Sequence, residues 1–439
     1  MRQETLTVVA RVRDAAGLLA ALAGLNADRL GSGVRHFQPR AFAAPELGIH
    51  FARLGYLPAD PGASSADWLV FESNFDTIET DAGRAQTGHL EALAEREYLA
   101  LASAFRHCDG FPSEAEPARL AGYLAERRVE ATASYQGHTE RDLARIRLER
   151  AVREACMSFL ERAPRAGKSE LYGQLRDHLR WLSHSDPALS ELDVDEPAPS
   201  LPNAALRSQG LRDRLSPWVW NVLPALPLLP QIPRILAWGH SDSSFDLRAR
   251  QEAWTGDDRQ LFTHIADSED HGVQNALTHL VRLRGGDQRE HVLRTAHAYI
   301  ARLVKAYFND IGHLGGIPSI HFAKWLTVDE GRRLLFLSNY DNSWESYLGD
   351  FVDQAAIGLN LAWSCTEGYP RTRLLALDGA EDEERFKAWG RAQQLPTQVF
   401  YSAYPDLSIA AINNNTCIRQ GLHERPSMTD LGAWFRRLT

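Results

Sequence analysis

The chain repeats itself, and that repetition constrains its fold more than any other feature. Near the N-terminus it reads Ile49-His50-Phe51-Ala52-Arg53, then Leu69-Val70-Phe71-Glu72-Ser73-Asn74-Phe75-Asp76, then Cys108-Asp109-Gly110-Phe111-Pro112. About 270 residues later it reads Ile320-His321-Phe322-Ala323-Lys324, then Leu334-Leu335-Phe336-Leu337-Ser338-Asn339-Tyr340-Asp341, then Cys365-Thr366-Glu367-Gly368-Tyr369-Pro370. Three matched blocks in one order imply a duplicated module, because random drift does not reproduce both content and order.

The segments between the blocks supply the secondary structure. Residues 6–13 are rich in β-branched side chains and predict a strand, and Ala15 to Leu25 predicts an Ala/Leu helix. Ile49 to Leu57 and Trp68 to Asn74 read as a hairpin around a loop rich in Pro, Gly and Ser. Gly88 to Phe105 reads as a helix and Val129 to Tyr135 as a fourth strand. The second half repeats the order: strand 273–283, helix 291–308, hairpin 321–328 and 333–339, helix 344–363 and strand 397–404. Each half is therefore β-α-β-β-α-β, the ferredoxin-like order. The expected fold class is α+β, two tandem ferredoxin-like modules (1–146 and 271–439) forming an intramolecular pseudo-dimer around a helical and Pro-rich insert (147–270).

Inside that insert, Leu148 to Leu182 has helical periodicity. Proline then recurs at 224, 227, 230 and 233 within a Trp- and Leu-rich run. A three-residue proline period is that of polyproline II and breaks any spanning helix. The run reads either as an apolar arm packed on the protein or, over 217–238, as a peripheral membrane contact.

Composition narrows the function. The 439 residues carry net charge −9, which argues against phosphate-backbone binding and so against a nucleic-acid partner. Of 48 basic residues only Lys168, Lys305, Lys324 and Lys387 are lysine. An arginine excess suits bidentate anion recognition, although GC-rich coding produces the same bias. The four cysteines lack CxxC spacing and read as reduced thiols of a cytoplasmic protein. The first residues run directly into a strand, so no signal peptide is expected. Walker, GxGxxG, HExxH and GxSxG motifs do not occur.

Two ferredoxin-like modules in one chain resemble the dimeric α/β-barrel superfamily, which includes dye-decolourising peroxidases and chlorite dismutases. The resemblance covers about three quarters of the chain and lies in its topology. It implies a haem-dependent, peroxidase-like oxidoreductase with its pocket in the second module. The Gly-x-x-Asp-Gly run of those peroxidases has its nearest match here in His107-Cys108-Asp109-Gly110, without the first glycine and in the first half.

Within that expectation His321 and His313 are the candidate axial ligands, and Asp341, Arg332 and Arg333 the polar pocket groups. His321 heads the second copy of the repeat, as His50 heads the first, and follows the Gly-rich Gly312-His313-Leu314-Gly315-Gly316 approach. Asn74, Asp76, Asn339 and Asp341 suit turn formation and N-capping of the helix that follows. The Cys-to-Pro blocks read as helix stops with a left-handed glycine. Glu269-Asp270-His271 and Asn413-Asn414-Asn415 are polar enough for a cleft, and equally for a linker, a turn or a cap. The alternative function is a non-catalytic binding protein for an apolar or lipid-like molecule, with the Trp/Pro-rich arm as lid or membrane contact.

Overall fold

The computed structural model describes residues 1–28, 39–60, 65–113, 116–163, 166–196, 260, 263, 265–266, 269–270, 272–285, 287–309, 312–424 and 427–438. The first half contains β1 (Arg2–Arg11), α1 (Ala15–Ala27), β2 (Ile49–Leu57), β3 (Trp68–Thr77), α2 (Ala82–Arg96), α3 (Tyr98–Phe105), α4 (Pro117–Ala125) and β4 (Ala133–Gln136). Helices α5 (Leu143–Arg162) and α6 (Lys168–Ser185) follow. The second half contains β5 (Gln274–Arg282), α7 (Asp287–Leu303), β6 (Ile320–Val328), β7 (Arg333–Asp341) and α8 (Trp344–Trp363). It continues with β8 (Thr372–Arg373), β9 (Leu377–Asp378), α9 (Glu383–Ala392), β10 (Gln394–Leu395), β11 (Val399–Ser402), α10 (Ile409–Glu424) and α11 (Met428–Phe435). The protein is thus a mixed α/β chain with antiparallel sheets.

Two sheets carry the architecture, in the orders β1-β3-β2-β11 and β10-β5-β7-β6-β4. Side-chain alternation sorts each strand between two cores. Leu6, Val8, Leu54, Leu69 and Phe71 pack under the first-half helices. Leu277, Val281, Trp325, Leu334 and Phe336 pack under those of the second half. The opposite faces meet one another: Val9, Leu57 and Val70 of one sheet join Leu280, Leu326, Val328, Leu335 and Leu337 of the other. Helices α5, α6, α10 and α11 form a separate core around Val152, Leu179, Ile418, Leu422 and Trp434.

The fourth strands are exchanged between the halves. Residues 127–129 bond the edge of β1 (Val9 N–H to Arg127 O, 3.0 Å; Val129 N–H to Thr7 O, 2.9 Å). The chain then crosses over, and β4 pairs with β6 of the other sheet. Likewise β10 pairs with β5, and β11 crosses to pair with β2. Pro396 sits at the second crossing, where its missing N–H costs no ladder bond. Segments that leave one sheet and finish on the other tie the two sheets together and cover one edge of each.

Several local expectations shift. The single helix expected over 88–105 is two, because Glu97 leaves helical geometry (φ −113°, ψ 25°) and separates α2 from α3. The 148–182 periodicity likewise belongs to two helices, α5 and α6. Asn413, Asn414 and Asn415 lie inside α10 rather than in a turn. Arg141 donates to Asn413 Oδ1 at 2.5 Å and Asn414 donates to Arg437 O at 2.8 Å, so tertiary bonds engage the first two of the three. Gly110 and Gly368 adopt left-handed φ of 69° and 71° in the helix-stop blocks. The proline-rich run at 217–238 and His271 lie outside the described residues. Among the described residues, no helix is long and apolar enough to cross a membrane.

Candidate functional site

A β-bulge between Ile49 and Phe51 displaces His50 at the head of β2, and an identical irregularity between Ile320 and Phe322 displaces His321. Each imidazole then meets the aspartate that ends the neighbouring strand. His50 Nε2 lies 2.8 Å from Asp76 Oδ1, and His321 Nε2 lies 2.7 Å from Asp341 Oδ1. The second oxygen of each aspartate accepts a helix N-terminal N–H, from Leu143 at 2.8 Å and from Ile409 at 2.7 Å. The carboxylates therefore do cap helices, as their chemistry predicts. The capped helices are α5 and α10, which follow the exchanged strands. The helices next in sequence to the aspartates are capped by Asp81 and Ser343 instead.

Tyr404 and His138 complete this end of the molecule. The Tyr404 hydroxyl lies 2.9 Å from His50 Nδ1 and 3.0 Å from His138 Nε2. Gln3 Nε2 donates to Arg141 O at 2.8 Å and faces His138 Nδ1 at 3.0 Å. Burial, with His50 and His321 adding to it, pushes the His138 pKa well below its ordinary value, so that ring is neutral. Burial also pushes the Tyr404 phenol well up, so it keeps its proton. These roles order the chain: Gln3 donates to His138, His138 to Tyr404, Tyr404 to His50, and His50 to Asp76. On the other side the chain stops short. His138 holds the place corresponding to Tyr404 but turns to it, and His321 Nδ1 has no hydrogen-bond partner.

Below this layer lies a buried charge cluster. Arg53 Nε lies 2.5 Å from Glu72 Oε2, and Lys324 Nζ lies 3.0 Å from Glu72 Oε1, with all three side chains 1% exposed. Arg53 also donates to Leu277 O at 2.7 Å and Ser338 O at 3.0 Å, both on the facing sheet. Lys324 contacts Thr5 and Thr7 across the same gap. Two cations thus share one carboxylate and pin the sheets together.

The expected site residues are divided among three places. His321 and Asp341 belong to the sealed histidine layer. Arg332 and Arg333 lie at the far end of β7, about 26 Å away at ~3.3 Å per residue. His313 sits in the loop before β6, where its Nδ1 accepts the Gly316 N–H at 3.0 Å. A haem axial ligand needs a ring nitrogen with open space beyond it. His321 is 0% exposed, its Nε2 is held by Asp341, and the rings of Phe51 and His138 pack tilted and edge-on with centroids 5.1 and 5.4 Å from its own. The residues around His321 do not fit a haem, and neither described cavity is lined by His313 or His321.

Arg332 and Arg333 instead line a cleft of about 390 Å³. Its walls come from the end of β5, the start of α7, the β6–β7 turn, the end of α8 and the first-half loop that carries Asp60. Five arginines line it: Arg282, Arg284, Arg289, Arg332 and Arg333. Arg333 has a structural task, donating to Pro58 O at 2.6 Å and Ala66 O at 3.2 Å. Arg282 pairs with Asp60 and, at 3.6 Å, with Glu367. Arg332 pairs with Asp329 at 3.0 Å and Glu330 at 3.4 Å. Glu367 and Glu330 are 50% and 82% exposed, so their long pairs are weak. Cys365 also lines the cleft, but burial pushes its thiol up to about 11 and makes it a poor nucleophile. Glu269 lines neither cavity. It pairs with Arg391 at 2.8 Å.

Arg282, Arg284 and Arg289 carry no sequence signature. Gln3 and Gln274 had one: each precedes the repeated histidine by 47 residues. No protein-family model, curated protein or solved structure matches this chain.

Proposed function

We propose that this protein binds a small anionic molecule in the cleft of its second half. The proposed scaffold is a tandem pair of ferredoxin-like modules closed as an intramolecular pseudo-dimer, in the manner of the dimeric α/β-barrel superfamily. The reading is supported above all by the cleft of about 390 Å³ with five guanidinium groups in its walls. That volume is within the range of small-molecule sites. An incoming carboxylate or phosphate would displace the exposed Glu367 and Glu330 and take Arg282 and Arg332 as bidentate partners. Asp60 and Asp329 would stay in place, holding the guanidinium planes. The cleft also carries five carboxylates, Asp60, Glu290, Asp329, Glu330 and Glu367, so its fit to an anion rests on guanidinium geometry and on displacing the exposed glutamates rather than on net positive charge.

Binding rather than catalysis is favoured because the described residues that line the cleft include no histidine and its cysteine is a protonated thiol. The haem-dependent oxidoreductase reading rests on the superfamily resemblance alone.

Calorimetric titration of the full chain with citrate and with inorganic phosphate tests the proposal. Saturable binding is expected, weakened about tenfold by Arg282→Ala or Arg332→Ala through loss of one charge-assisted pair. Binding that neither substitution changes, or no binding at millimolar ligand, overturns it.

A further inference from the structure

Charges in the anion cleft cancel in number, since five arginines and five carboxylates line it. Arg282 and Arg332 are 37% and 44% exposed, so both guanidinium groups are open to an incoming molecule. A ligand that carries negative charge alone gains these two arginines but turns two glutamates loose beside its own carboxylates. The cost depends on how far each glutamate can withdraw.

Glu330 withdraws easily. It lies in the turn between β6 and β7 and is already 82% exposed. Glu367 does not. Its backbone N–H donates to Arg282 O at 2.9 Å, and its own carbonyl accepts the Trp389 indole N–H at 3.1 Å. The main chain of Glu367 is therefore pinned next to Arg282, whatever its side chain does. A carboxylate bound to Arg282 would keep Glu367 as a like-charged neighbour unless the ligand itself brings a cation to that spot.

An α-amino acid has that arrangement, an ammonium one carbon away from a carboxylate. The carboxylate takes Arg282 in the bidentate fork, and the ammonium takes the Glu367 carboxylate that Arg282 released. A second carboxylate, on the side chain, takes Arg332. The two arginines spring from adjoining points of the cleft, because Leu283 N–H donates to Arg332 O at 2.8 Å. Leu283 and Leu293, also in the walls, offer apolar surface to the carbon chain between the charges.

We propose that the cleft is a binding site for an acidic α-amino acid, an inference that rests on the anion-binding reading of the same cleft. Glu367 is the residue that tells such a ligand from a plain dicarboxylate.

Calorimetric titration of the full chain with glutamate and with glutarate, which lacks only the ammonium, tests it. Attraction by net charge would rank glutarate first, since it carries the larger negative charge. The proposal expects the reverse order in wild type, with glutamate bound about tenfold more tightly through one charge-assisted pair. This comparison needs no variant. Glu367→Gln removes both the ammonium partner and the competitor for Arg282, so glutarate should bind more tightly and the preference for glutamate should disappear. Glutamate bound no better than glutarate by wild type overturns the proposal, as does a preference that survives in Glu367→Gln. If citrate or phosphate still binds in an Arg282-dependent way, either result leaves the anion-binding reading standing. Absence of binding by all four ligands ends both.

Discussion

Glu72→Gln should be among the most damaging single changes in this protein, although the two side chains have nearly one shape. Among the described residues, Glu72 is the only carboxylate in ion-pair contact with Arg53 and Lys324 in the cluster between the sheets, and each of the three is 1% exposed. Removing the negative charge leaves two cations in a region where solvation cannot replace it. Breaking a buried pair typically costs about 3–5 kcal/mol, and here two partners are stranded by one substitution, so a loss of at least that size is expected at pH 7. Burial alone would raise the Glu72 carboxyl, but Arg53 and Lys324 outweigh it and hold it below the usual range. Its stabilisation is therefore complete above the unfolded value of about 4.3 and is lost only as pH falls through the lower folded value.

Lys324 responds in the opposite sense. Burial holds its pKa down, with Glu72 offsetting part of the effect. Between the folded value and about 10.4 the unfolded chain binds more protons, so stability rises with pH in that window. Without Glu72 the window opens at lower pH, and the deficit of Glu72→Gln relative to wild type should shrink on the alkaline side. Urea unfolding of wild type, Glu72→Gln and the triple variant Arg53→Met, Glu72→Leu, Lys324→Met across pH 6–10 checks this. The triple variant, free of buried charge, should recover most of the loss. A Glu72→Gln variant within about 1 kcal/mol of wild type at pH 7 would refute the account.

Three other outcomes follow from the structure. Tyr404→Phe strands His50 Nδ1 and His138 Nε2, and should cost about 1–3 kcal/mol per unmet group in chemical denaturation. Gly110→Ala places a Cβ at φ 69° and 2.9 Å from Arg127 Nη2, so a loss of about 1–2 kcal/mol is expected in the same assay. Cys108 and Cys156, both buried with thiols pushed up to about 12, should resist a thiol-reactive chromophore at pH 8 in the native state and react fully in denaturant.

Local periodicity was enough to place the core elements. The hairpin strands Ile49–Leu57 and Trp68–Thr77, the helix Trp344–Trp363 and the left-handed glycines of the Cys-to-Pro blocks follow from alternation, helical spacing and glycine chemistry. Each of those signals depends on residues within a few positions of one another. The histidine at the head of each repeat and the aspartate that ends the next strand were also legible, because both recur in matched blocks.

Their partnership was not legible. His50 meets Asp76 only through strand register, and Asp76 caps a helix 67 residues away because β4 crosses to the other sheet first. Local sequence specifies which segments are strands and helices, and which polar residues recur. Tertiary structure alone decided that Arg332 and Arg333 leave His321 for a cleft at the other end of β7. It also decided that Arg53, Glu72 and Lys324 share one buried cluster. The physical reason is that strand exchange and sheet-on-sheet packing join residues hundreds of positions apart, and no local pattern encodes a contact with a partner that distant.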